Sequence, residues 1–552
     1  MPLITDIVKS GPCAALFSEL SAFAEESLRG YTSDLSESFS ESPALSRKDI
    51  YDMVWGSAEF SPFELCVLDS PLLQRLRRVR QLGMVCAVYC NADFSRFAHT
   101  VGVVRAAHKM AAVVERKLRE KKRFLSFDFV SAVRLAAIFH DTGHMFFSHV
   151  SESFFTKNVN FPRYDEISAA LAYFNRETGA YSSLHEVFSV MLASSEAVRR
   201  LLRLAAENTP FSEHRPNPED LDSFLNRLTE YICAFIIGVP VDAEILPFSR
   251  LLNGALDADK LDYLFRDSKC TNIPISVDIE RLIHKLEVVK AAAFSPAPVW
   301  QGAEGEPLYL TAVKFSAQKV LLQLSLARAV MYESVYLHHK ALTLEKMAAL
   351  GCADFFRQVS AKYLRFDGIM RLTDDSFGET ALAALAGEDT AAFKIFADIR
   401  NRKLYKRLAL FSAETVKTGF AEFSANIVKA DFSAEQAAFF AAAGAEYAAL
   451  TSSPPPSFAF IRSSTYANEY TSFDIPIEYG DGAYKPAAEV LRNPAMATEG
   501  FYLITDAPKR DYACAALLRV LSRLYGIELT DDAPACSKCP KNRIDELLTP
   551  LR

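Results

Sequence analysis

Three short segments of the chain carry side chains that bind metal ions. One segment ends at His99, the second contains the doublet His140-Asp141, and the third contains Asp259. Two imidazoles and two carboxylates suit a divalent first-row metal that keeps water or substrate in its remaining positions. The set accommodates Mn, Fe, Ni, Zn or, less naturally, Mg. These four residues therefore predict a metal site that does chemistry.

Further basic side chains lie close to the doublet. His144 and His149 follow it directly, and His99, His140, His144 and His149 all fall within 51 residues. A single histidine is more often an ordinary core or surface residue, and Asp259 can be explained as a helix N-cap. The clustering weakens these ordinary explanations when the residues are taken together.

The segments that must position these residues are predicted to be helices. The doublet follows an apolar run at the end of a helix over Phe129–Phe139, and Gly143 indicates the helix end. Asp259, Tyr263 and Asp267 are spaced i, i+4, i+8 and share one helix face. Apolar residues recur at three- and four-residue steps in other segments as well. These are residues 1 to about 30, Leu72–Leu82, Val101–Lys117 and Val320–Met347.

Composition narrows the class of protein. The chain has 552 residues, half of them apolar, with 61 basic against 68 acidic residues and a net charge of −7. This balance argues against a basic nucleic-acid coat, and no run approaches the roughly 18 apolar residues of a membrane span. Ten scattered cysteines and a start that does not resemble a signal peptide indicate a reducing, cytoplasmic setting. Cys536 and Cys539 form one CxxC pair, either a zinc half-site or two free thiols.

The predicted fold is mainly α, a helical core followed by a smaller α+β C-terminal domain. A proline segment, Thr451–Ser457, reads as a stiff linker, and short strands are expected near residues 458, 475 and 501 before a helix over 511–525. A hairpin is expected near 294–307. The predicted units are 1–47 (a helical segment and a loop over 33–46), 48–345, 346–450, 456–530 and a tail over 531–552.

The ordered motifs resemble a known superfamily. They are Ser95–Gly102, Phe139–His149, Leu184–Glu186, Asn253–Asp267 and Val335–His338. They are similar to those of the HD-domain metal-dependent phosphohydrolases, specifically the branch of the sterile-alpha-motif/HD-domain deoxynucleoside triphosphate triphosphohydrolase. The resemblance covers residues 48–345 well and 346–500 more faintly, so 48–345 is expected to be the HD domain.

The resemblance implies a role for each matched residue. His99, His140, Asp141 and Asp259 would hold the divalent metal ion. The groups beside the transferred phosphate would be His144, His149, His185 and Glu152, with Glu152 orienting His149. Arg96, Lys260 and Arg328 would clamp phosphates, and Gln81, Tyr263, Asp267 and Tyr336 would line the sugar side. Arg328, Tyr332 and Tyr336 are spaced to share one helix face, although an ordinary amphipathic helix has the same spacing. Tyr332 stands where the family's triphosphohydrolases usually place a histidine.

A second group of matches concerns regulation. Lys48, Asp69, Gln74, Arg77, Arg402 and Lys406 stand where nucleotide-regulated relatives, which assemble as tetramers, bind an activating guanine nucleotide. The ordinary explanation is that Asp69 caps the helix starting near Leu72 and that the arginines pair with acidic neighbours.

The expected function is therefore hydrolysis of a dNTP to a deoxynucleoside and triphosphate by a nucleotide-binding homo-oligomer, a dimer or tetramer. Nucleotide activation stays open beside the ordinary explanation of the second group. Two alternatives stay open. The same site can act on another phosphoester, such as a nucleoside monophosphate, a signalling nucleotide or a single-stranded nucleic acid, the last disfavoured by the acidic charge. The protein can instead sense nucleotides as a regulator.

Overall fold

The computed structural model describes residues 3–41, 46–212, 220–291, 307–359, 363–386, 389–412, 420–429, 431–463, 476–479, 483–486 and 500–528. Within these ranges the chain is mainly helical, as predicted, and it has three small sheets. The predicted tail over 531–552, with Cys536 and Cys539, lies outside the described residues.

The helices of the first 300 residues form most of the core. They are α1 (Ile4–Ile7), α2 (Ala14–Glu41), α3 (Pro62–Leu68), α4 (Pro71–Gln74), α5 (Arg96–Glu120), α6 (Phe129–Phe139), α7 (His149–Lys157), α8 (Tyr164–Thr178), α9 (Leu184–Ala193), α10 (Glu196–Asn208), α11 (Leu221–Ile237), α12 (Ala258–Thr271) and α13 (Ile279–His284). Later helices are α14 (Gln318–Met331), α15 (His339–Gln358), α16 (Phe366–Ile369), α17 (Asp374–Ala384), α18 (Ala391–Arg400), α19 (Phe420–Phe423), α20 (Ala434–Thr451) and α21 (Arg510–Tyr525).

The strands build three sheets. An antiparallel hairpin pairs β1 (Lys48–Asp52) with β2 (Gly56–Phe60). A four-stranded sheet has the order β3 (Leu286–Lys290), β4 (Tyr309–Val313), β7 (Pro476–Tyr479) and β8 (Ala483–Pro486), with only β4 and β7 parallel. The third sheet places β9 (Gly500–Thr505) between β5 (Lys406–Ser412) and β6 (Phe458–Ser463). The antiparallel pair β3–β4 flanks the predicted hairpin, whose residues 292–306 lie outside the described residues.

Helix α6 lies at the centre of the main core. It is rich in Ala, Val, Leu, Ile and Phe and is buried along most of its length, with α5 and α11 packed against it. Asp128 caps its start through the Ser131 backbone N–H, and His140 follows its last residue. Helix α5 begins at Arg96 and also packs against α12, which begins at Ala258. The end of α6 and the starts of α5 and α12 carry the predicted metal ligands.

Two secondary-structure predictions near the N-terminus were wrong, one of a loop and one of a helix. The predicted loop over 33–46 is helical as far as Glu41, because Leu35 and Phe39 are one turn apart and bury their side chains while the Ser and Glu side chains face outward. The predicted helix Leu72–Leu82 ends early. It is α4 followed by a 3₁₀ turn over Arg75–Arg78, and Val79 is extended.

The predicted helix Val320–Met347 is interrupted. Helix α14 ends at Met331, a π-helical turn covers Tyr332–Tyr336, and α15 begins at His339. Single π turns inside helical segments occur frequently at functional sites because the extra residue changes where side chains point. The α-helical spacing predicted for Arg328, Tyr332 and Tyr336 therefore holds only up to Tyr332.

The described apolar residues form two large cores. One continuous core runs from Ile4 to Phe396, and a second joins Leu408, Phe439 and Tyr447 to residues of β6, β9 and α21. The chain on both sides of the proline segment thus contributes to the second core, and β7 pairs with β4 of the main body. No helix among the described residues combines the length and apolar character that a membrane crossing requires.

Candidate functional site

Four predicted metal ligands converge between the ends of α5, α6 and α12. His99 Nε2 lies 2.8 Å from Asp259 Oδ1 and 3.9 Å from Asp141 Oδ2. His140 Nε2 lies 3.4 Å from Asp141 Oδ1 and 3.8 Å from Asp259 Oδ1. Nε2 of each histidine thus lies within 3.9 Å of a carboxylate oxygen of both Asp141 and Asp259. This donor set suits one divalent cation.

Hydrogen bonds behind the two histidines fix which nitrogen faces the site. His140 Nδ1 lies 2.7 Å from the Ala137 carbonyl oxygen, which can only accept, so Nδ1 carries a proton and Nε2 is the nitrogen that faces the site. That buried Nε2 has no hydrogen-bond partner among the described residues. His99 Nδ1 lies 2.7 Å from Asp262 Oδ2. Carboxylates and carbonyls behind ligating histidines play this orienting role in metal sites.

The electrostatics of the four residues favour a cation. Burial alone would lower the pKa of His99, but its hydrogen bonds to Asp259 and Asp262 raise that pKa to about 10. Burial would raise the pKa of Asp141, yet the Arg96 guanidinium and the neighbouring histidines hold it well below its usual range. Arg96 Nη1 donates to Asp141 Oδ2 at 2.6 Å. Both groups are therefore ionised in the metal-free protein, and a metal would replace the proton on His99 Nε2.

The second histidine group lies next to this site. The His144 and His185 rings stack with centroids 3.8 Å apart, and the His149 ring stands edge-on to both. Glu152 accepts from His185 Nδ1 at 3.0 Å and from His149 Nδ1 at 3.1 Å. The structure thus brings all four predicted catalytic residues together, with His144 Nε2 3.5 Å from Asp141 Oδ1.

The environment gives these histidines different charges. Burial and the nearby Arg96 guanidinium lower the pKa of His144 well below its usual value. Burial also acts against a charged His185, but the Glu152 carboxylate raises the pKa of His185 to about 9. In turn, despite burial, these imidazoles lower the pKa of Glu152 well below its usual value. Near neutral pH one histidine is therefore neutral and the other forms a charged pair with Glu152.

A cavity of about 420 Å³ opens over both groups. Its lining includes most of the predicted substrate residues: Gln81, Arg96, Lys260, Tyr263, Asp267, Tyr332 and Tyr336. Five buried polar atoms of lining residues have no hydrogen-bond partner among the described residues. These are Gln81 Oε1, Arg96 Nη2, His140 Nε2, His144 Nδ1 and Asp267 Oδ1. Buried polar atoms are rarely left unpaired, so this set indicates a cavity built for a polar ligand.

The tyrosines and Asp267 form one wall of the cavity. Tyr336 Oη donates to Asp267 Oδ2 at 2.5 Å, and the Tyr332 ring stands edge-on to Tyr336 with centroids 4.9 Å apart. Burial raises the pKa of Asp267 to about 7, even though the Tyr336 hydroxyl stabilises the carboxylate. The predicted i, i+4, i+8 series from Asp259 through Tyr263 to Asp267 lies along α12 and lines the cavity as expected.

Two of the predicted phosphate clamps have other contacts. Arg328 is not among the lining residues, and its guanidinium carbon lies 5.4 Å from the centre of the Tyr332 ring. Lys260 reaches the cavity, but its Nζ donates to Asp257 Oδ2 at 2.6 Å and to the Gly254 carbonyl at 2.8 Å. Asp257, not Asp259, is the N-cap of α12. Arg96 lines the cavity as well, and its buried Nη2 has no hydrogen-bond partner among the described residues.

The predicted regulatory residues form pairs on and near the surface. Lys48 Nζ lies 3.0 Å from Asp69 Oδ2, and Arg77 Nε donates to Gln74 Oε1 at 2.5 Å. Asp69 follows α3, while Ser70 precedes α4, so Asp69 does not cap the next helix. Elsewhere, Arg402 donates to the Ala87 carbonyl, and Lys406 pairs with Thr505 across the β5–β9 ladder.

Sequence reasoning missed the residues that support the ligands. Asp262 orients His99 and accepts two hydrogen bonds of 2.8 Å from Arg266 and one of 2.8 Å from Trp55 Nε1. Asp262 lies three residues after Asp259, inside the motif Asn253–Asp267, and this position could have identified it as a supporting residue. Ser148 accepts from Arg96 Nε at 2.8 Å. No spacing in the sequence connects Ser148 with Arg96.

Comparison with known proteins identifies both halves of the helical body. Residues 96–230 match the family model of the HD domain, and residues 277–439 match that of the HD associated region. The putative HD domain-containing protein L394 of Acanthamoeba polyphaga mimivirus is 22% identical over 384 residues, 64% of this chain and 72% of that protein.

Relatives with a named activity match more partially. The deoxynucleoside triphosphate triphosphohydrolase SAMHD1 homolog of Dictyostelium discoideum is 25% identical over 369 residues, 65% of this chain and 60% of that protein. The Bos taurus deoxynucleoside triphosphate triphosphohydrolase SAMHD1 is 36% identical over 110 residues, 20% of this chain and 18% of that protein. The matched region thus spans less than two thirds of both triphosphohydrolases.

Solved structures share the fold. A phosphohydrolase from Bacteroides thetaiotaomicron has a TM-score of 0.53 at 19% identity, covering 83% of this chain and 99% of that chain. A hypothetical protein from Aquifex aeolicus has a TM-score of 0.55 at 20% identity, covering 86% of this chain and all of that one. The family matches, together with the cluster of His and Asp ligands, show that the chain belongs to the HD-domain superfamily of metal-dependent phosphohydrolases and is similar to its dNTP triphosphohydrolase branch.

Proposed function

We propose that the protein hydrolyses deoxynucleoside triphosphates to deoxynucleosides and triphosphate. The observation that carries the proposal is the set of five unpaired polar atoms around one cavity beside the His and Asp cluster. These atoms suit the two parts of a nucleotide. Arg96 and His144 would contact the phosphates, and Gln81 and Asp267 would contact hydroxyl groups. Relatives that carry the name of this activity support the choice.

In this proposal His99, His140, Asp141 and Asp259 hold the divalent metal. When bound, the metal supplies Lewis-acid polarisation of a phosphoryl oxygen and a water of lowered pKa. Arg96 faces the reacting phosphate with its unpaired Nη2, and the His185 imidazole, held by the Glu152 carboxylate, lines the same cavity. Neutral His144 offers a nitrogen that can exchange a proton.

The leaving 5′-oxygen of the nucleoside needs a proton as the P–O5′ bond breaks. We assign this step to His149, which lines the cavity and whose Nδ1 is bonded to Glu152, so that Nε2 is the atom available for proton transfer. Asp267 and Tyr336 are assigned to the sugar. Asp267 can form a hydrogen bond with a 3′-hydroxyl whether it is protonated or ionised, because the hydroxyl can both donate and accept.

A direct test incubates the purified, metal-loaded protein with each dNTP and separates the products by chromatography. Nucleoside together with triphosphate is the expected result. The matched control is the double variant His140→Ala, Asp141→Ala, which should lose turnover. Absence of product with every dNTP contradicts the proposal, and a nucleotide response that persists in the double variant indicates a sensor instead.

One observation favours a second candidate, hydrolysis of a nucleoside monophosphate. Tyr332 stands where the triphosphohydrolases that the chain resembles usually place a histidine. Its ring contacts Tyr336 edge-on, with centroids 4.9 Å apart, and the Arg328 guanidinium carbon lies 5.4 Å from its centre. A tyrosine carries no charge near neutral pH, so this part of the cavity offers less to a terminal phosphate. The same assay with monophosphates, read as nucleoside plus inorganic phosphate, separates the two substrates.

We also propose that the protein is a cytoplasmic homo-oligomer regulated by nucleotide at the surface that carries Lys48, Asp69, Gln74 and Arg77. Lys48 pairs with Asp69, and Arg77 pairs with Gln74, whose Nε2 also donates to the Leu68 carbonyl next to Asp69. An anionic ligand would therefore compete with Asp69 for Lys48. The eight cysteines in the described residues are free thiols, which agrees with a reducing compartment. Light scattering with and without guanine nucleotide tests the assembly, and a parallel assay measures turnover. If neither the mass nor the turnover changes, the protein is not regulated at this surface.

A further inference from the structure

Two consecutive residues beside the cavity have a backbone conformation that side chains disfavour. Phe147 has φ of 56° and Ser148 has φ of 52°, and Ser148 combines this with ψ of −120°. Both residues line the cavity, and His149 begins α7 directly after them. Such a backbone persists only where the surrounding structure holds it, and it clusters at active sites.

The carboxylate of Asp374 holds this backbone from outside the HD domain. Asp374 Oδ1 accepts from the Phe147 backbone N–H at 2.6 Å, and Oδ2 accepts from the Arg80 backbone N–H at 3.0 Å. The side chain is 2% exposed. Asp374 is the first residue of α17, which lies within the HD associated region.

Ring packing and close backbone contact fix the same loop. Phe377, one turn further along α17, stacks on Phe146 with centroids 3.9 Å apart and stands edge-on to Phe147. On another side, Gly83 lies so close that an added Cβ would sit 3.0 Å from the Phe147 carbonyl oxygen. Gly83 itself has φ of 46°. The loop is therefore held by one carboxylate, one aromatic stack and one glycine.

A chain of hydrogen bonds connects the loop with a metal ligand. Ser148 Oγ donates to the Arg80 carbonyl at 2.6 Å and accepts from Arg96 Nε at 2.8 Å. Arg96 Nη1 in turn donates to Asp141 Oδ2 at 2.6 Å. The position of Ser148 thus sets where Arg96 lies, and Arg96 both orients Asp141 and faces the cavity.

We propose that Asp374 is a positioning residue of the active site. By holding the Phe147 and Arg80 backbones, it keeps Ser148 in place for Arg96 and aims His149 at the cavity. The HD associated region would then complete the catalytic site of the HD domain through one buried carboxylate. The kinetic part of the test rests on the proposed function, and the structural part does not.

The test compares Asp374→Asn with Asp375→Asn in the full, metal-loaded chain. Asp375, the next residue, accepts a hydrogen bond from Arg80 Nη2 at 2.9 Å. Its side chain is 77% exposed and does not hold the loop, so Asp375→Asn is a matched control. In Asp374→Asn, an amide NH₂ replaces one of the two carboxylate oxygens. It then faces the backbone N–H of Phe147 or Arg80, so one of the two hydrogen bonds is lost. We expect kcat for dNTP hydrolysis to fall by about 10- to 100-fold with KM within about threefold, and Asp375→Asn to stay within about twofold of wild type.

Hydrogen exchange read by mass spectrometry gives the structural readout. Peptides that contain residues 146–150 should exchange faster in Asp374→Asn, while peptides from α5 and α6 keep the wild-type rate. A kcat within about twofold of wild type, or unchanged exchange at 146–150, overturns the proposal. If the wild type hydrolyses no dNTP, the proposed function fails and the exchange result alone decides the role of Asp374.

A second variant covers the case in which Asp374→Asn unfolds. Gly83→Ala leaves α17 intact and pushes on the Phe147 carbonyl from the other side. If the geometry of this loop sets the rate, Gly83→Ala lowers kcat by about tenfold or more and speeds exchange at 146–150. An unchanged kcat with a folded Gly83→Ala protein overturns the proposal.

Discussion

At the scale of single residues, Asp262 shows how the site is prepared for a metal. It accepts from His99 Nδ1, so His99 can offer only Nε2, and it is itself held by Arg266 and Trp55. Arg266 also pairs with Asp52 at 2.7 Å. This buried set of charges is fully paired, which makes removal of one member costly.

We therefore expect Asp262→Asn to weaken metal binding by about 10- to 100-fold, because an amide cannot stabilise the His99 ring as a carboxylate does. Metal content after dialysis against buffered Zn²⁺ or Mn²⁺ measures the effect. Asp222→Asn, at a surface carboxyl of α11, is the control and should bind as the wild type does. Equal metal content in all three proteins would show that Asp262 does not orient the ligand.

The His185–Glu152 pair makes stability depend on pH. The pKa of His185 is raised to about 9, so the stability that it contributes is complete below about pH 6.5 and is lost as the pH rises through about 9. The pKa of Glu152 is lowered, so its contribution is complete above about pH 4.5 and is lost only at lower pH. The window in which both contribute fully is therefore about pH 4.5 to 6.5.

Comparison with His185→Gln isolates this effect. Between pH 6 and pH 9.5 the wild type should lose on the order of 3 kcal/mol of unfolding free energy more than the variant, since each pKa unit corresponds to about 1.4 kcal/mol. Denaturant titrations of both proteins at the two pH values measure the difference. An equal loss in both proteins would show that His185 is not charged in the folded state.

At the scale of elements, the approach of α5 to α12 depends on Gly102. An added Cβ there would lie 1.9 Å from Asp262 Oδ1 and 2.2 Å from Arg266 Nη2. The two helices carry His99 and Asp259, so their separation sets the spacing of the metal ligands. Neither partner can move away without breaking the buried ion pair.

Gly102→Ala should therefore destabilise the protein by about 3 kcal/mol or more and reduce its metal content, through overpacking and the displaced ion pair. Gly30→Ala in α2 is the matched control, because nothing lies within 4 Å of its added Cβ. In a helix interior that control should gain about 0.5–1 kcal/mol. Thermal melts and metal analysis of both variants give the comparison, and a stable, metal-replete Gly102→Ala protein would refute the argument.

The elements that the sequence predicts well are those with strong local signals. Helices α5, α6 and α12 were predicted because apolar periodicity and polar motifs coincide in them. The segment after Val79 was predicted as helix and is not, because the Arg80 and Gln81 backbone N–H groups donate instead to Asp374 and to the Phe94 carbonyl. Asp374 lies 294 residues from Arg80 in the chain, so no local pattern announces that contact.

At the scale of the whole molecule, the described residues form two large cores joined through α15. The first holds the cavity, and the second is built from β5, β6, β9, α20 and α21. Met347 of α15 packs against Ile461 and Ile504 in a small cluster between them. The proline segment suggested a boundary at 451–457, but apolar side chains before and after it share the second core.

This arrangement predicts that the two cores respond separately to mutation. Phe439 is fully buried in the second core, where its ring lies 5.6 Å from Phe423, 5.9 Å from Phe460 and 5.6 Å from Tyr525. Phe439→Ala should cost this core about 3–5 kcal/mol, because it removes a large ring and leaves a cavity. Leu524→Ala, at a side chain that is 54% exposed, should cost less than about 0.5 kcal/mol.

Scanning calorimetry of the metal-loaded protein separates the outcomes. In Phe439→Ala we expect a transition at lower temperature that belongs to the second core. The transition of the metal-binding core should be nearly unchanged, because the contacts between the two cores are few: the small apolar cluster around Met347 and ion pairs such as Lys394–Asp506. Adding excess metal should raise the melting temperature of the metal-binding core and leave the transition of the second core in place. Ligand binding stabilises only the unit that contains the site. A single transition that shifts as a whole with both the mutation and the metal would mean that α15 couples the cores into one cooperative unit.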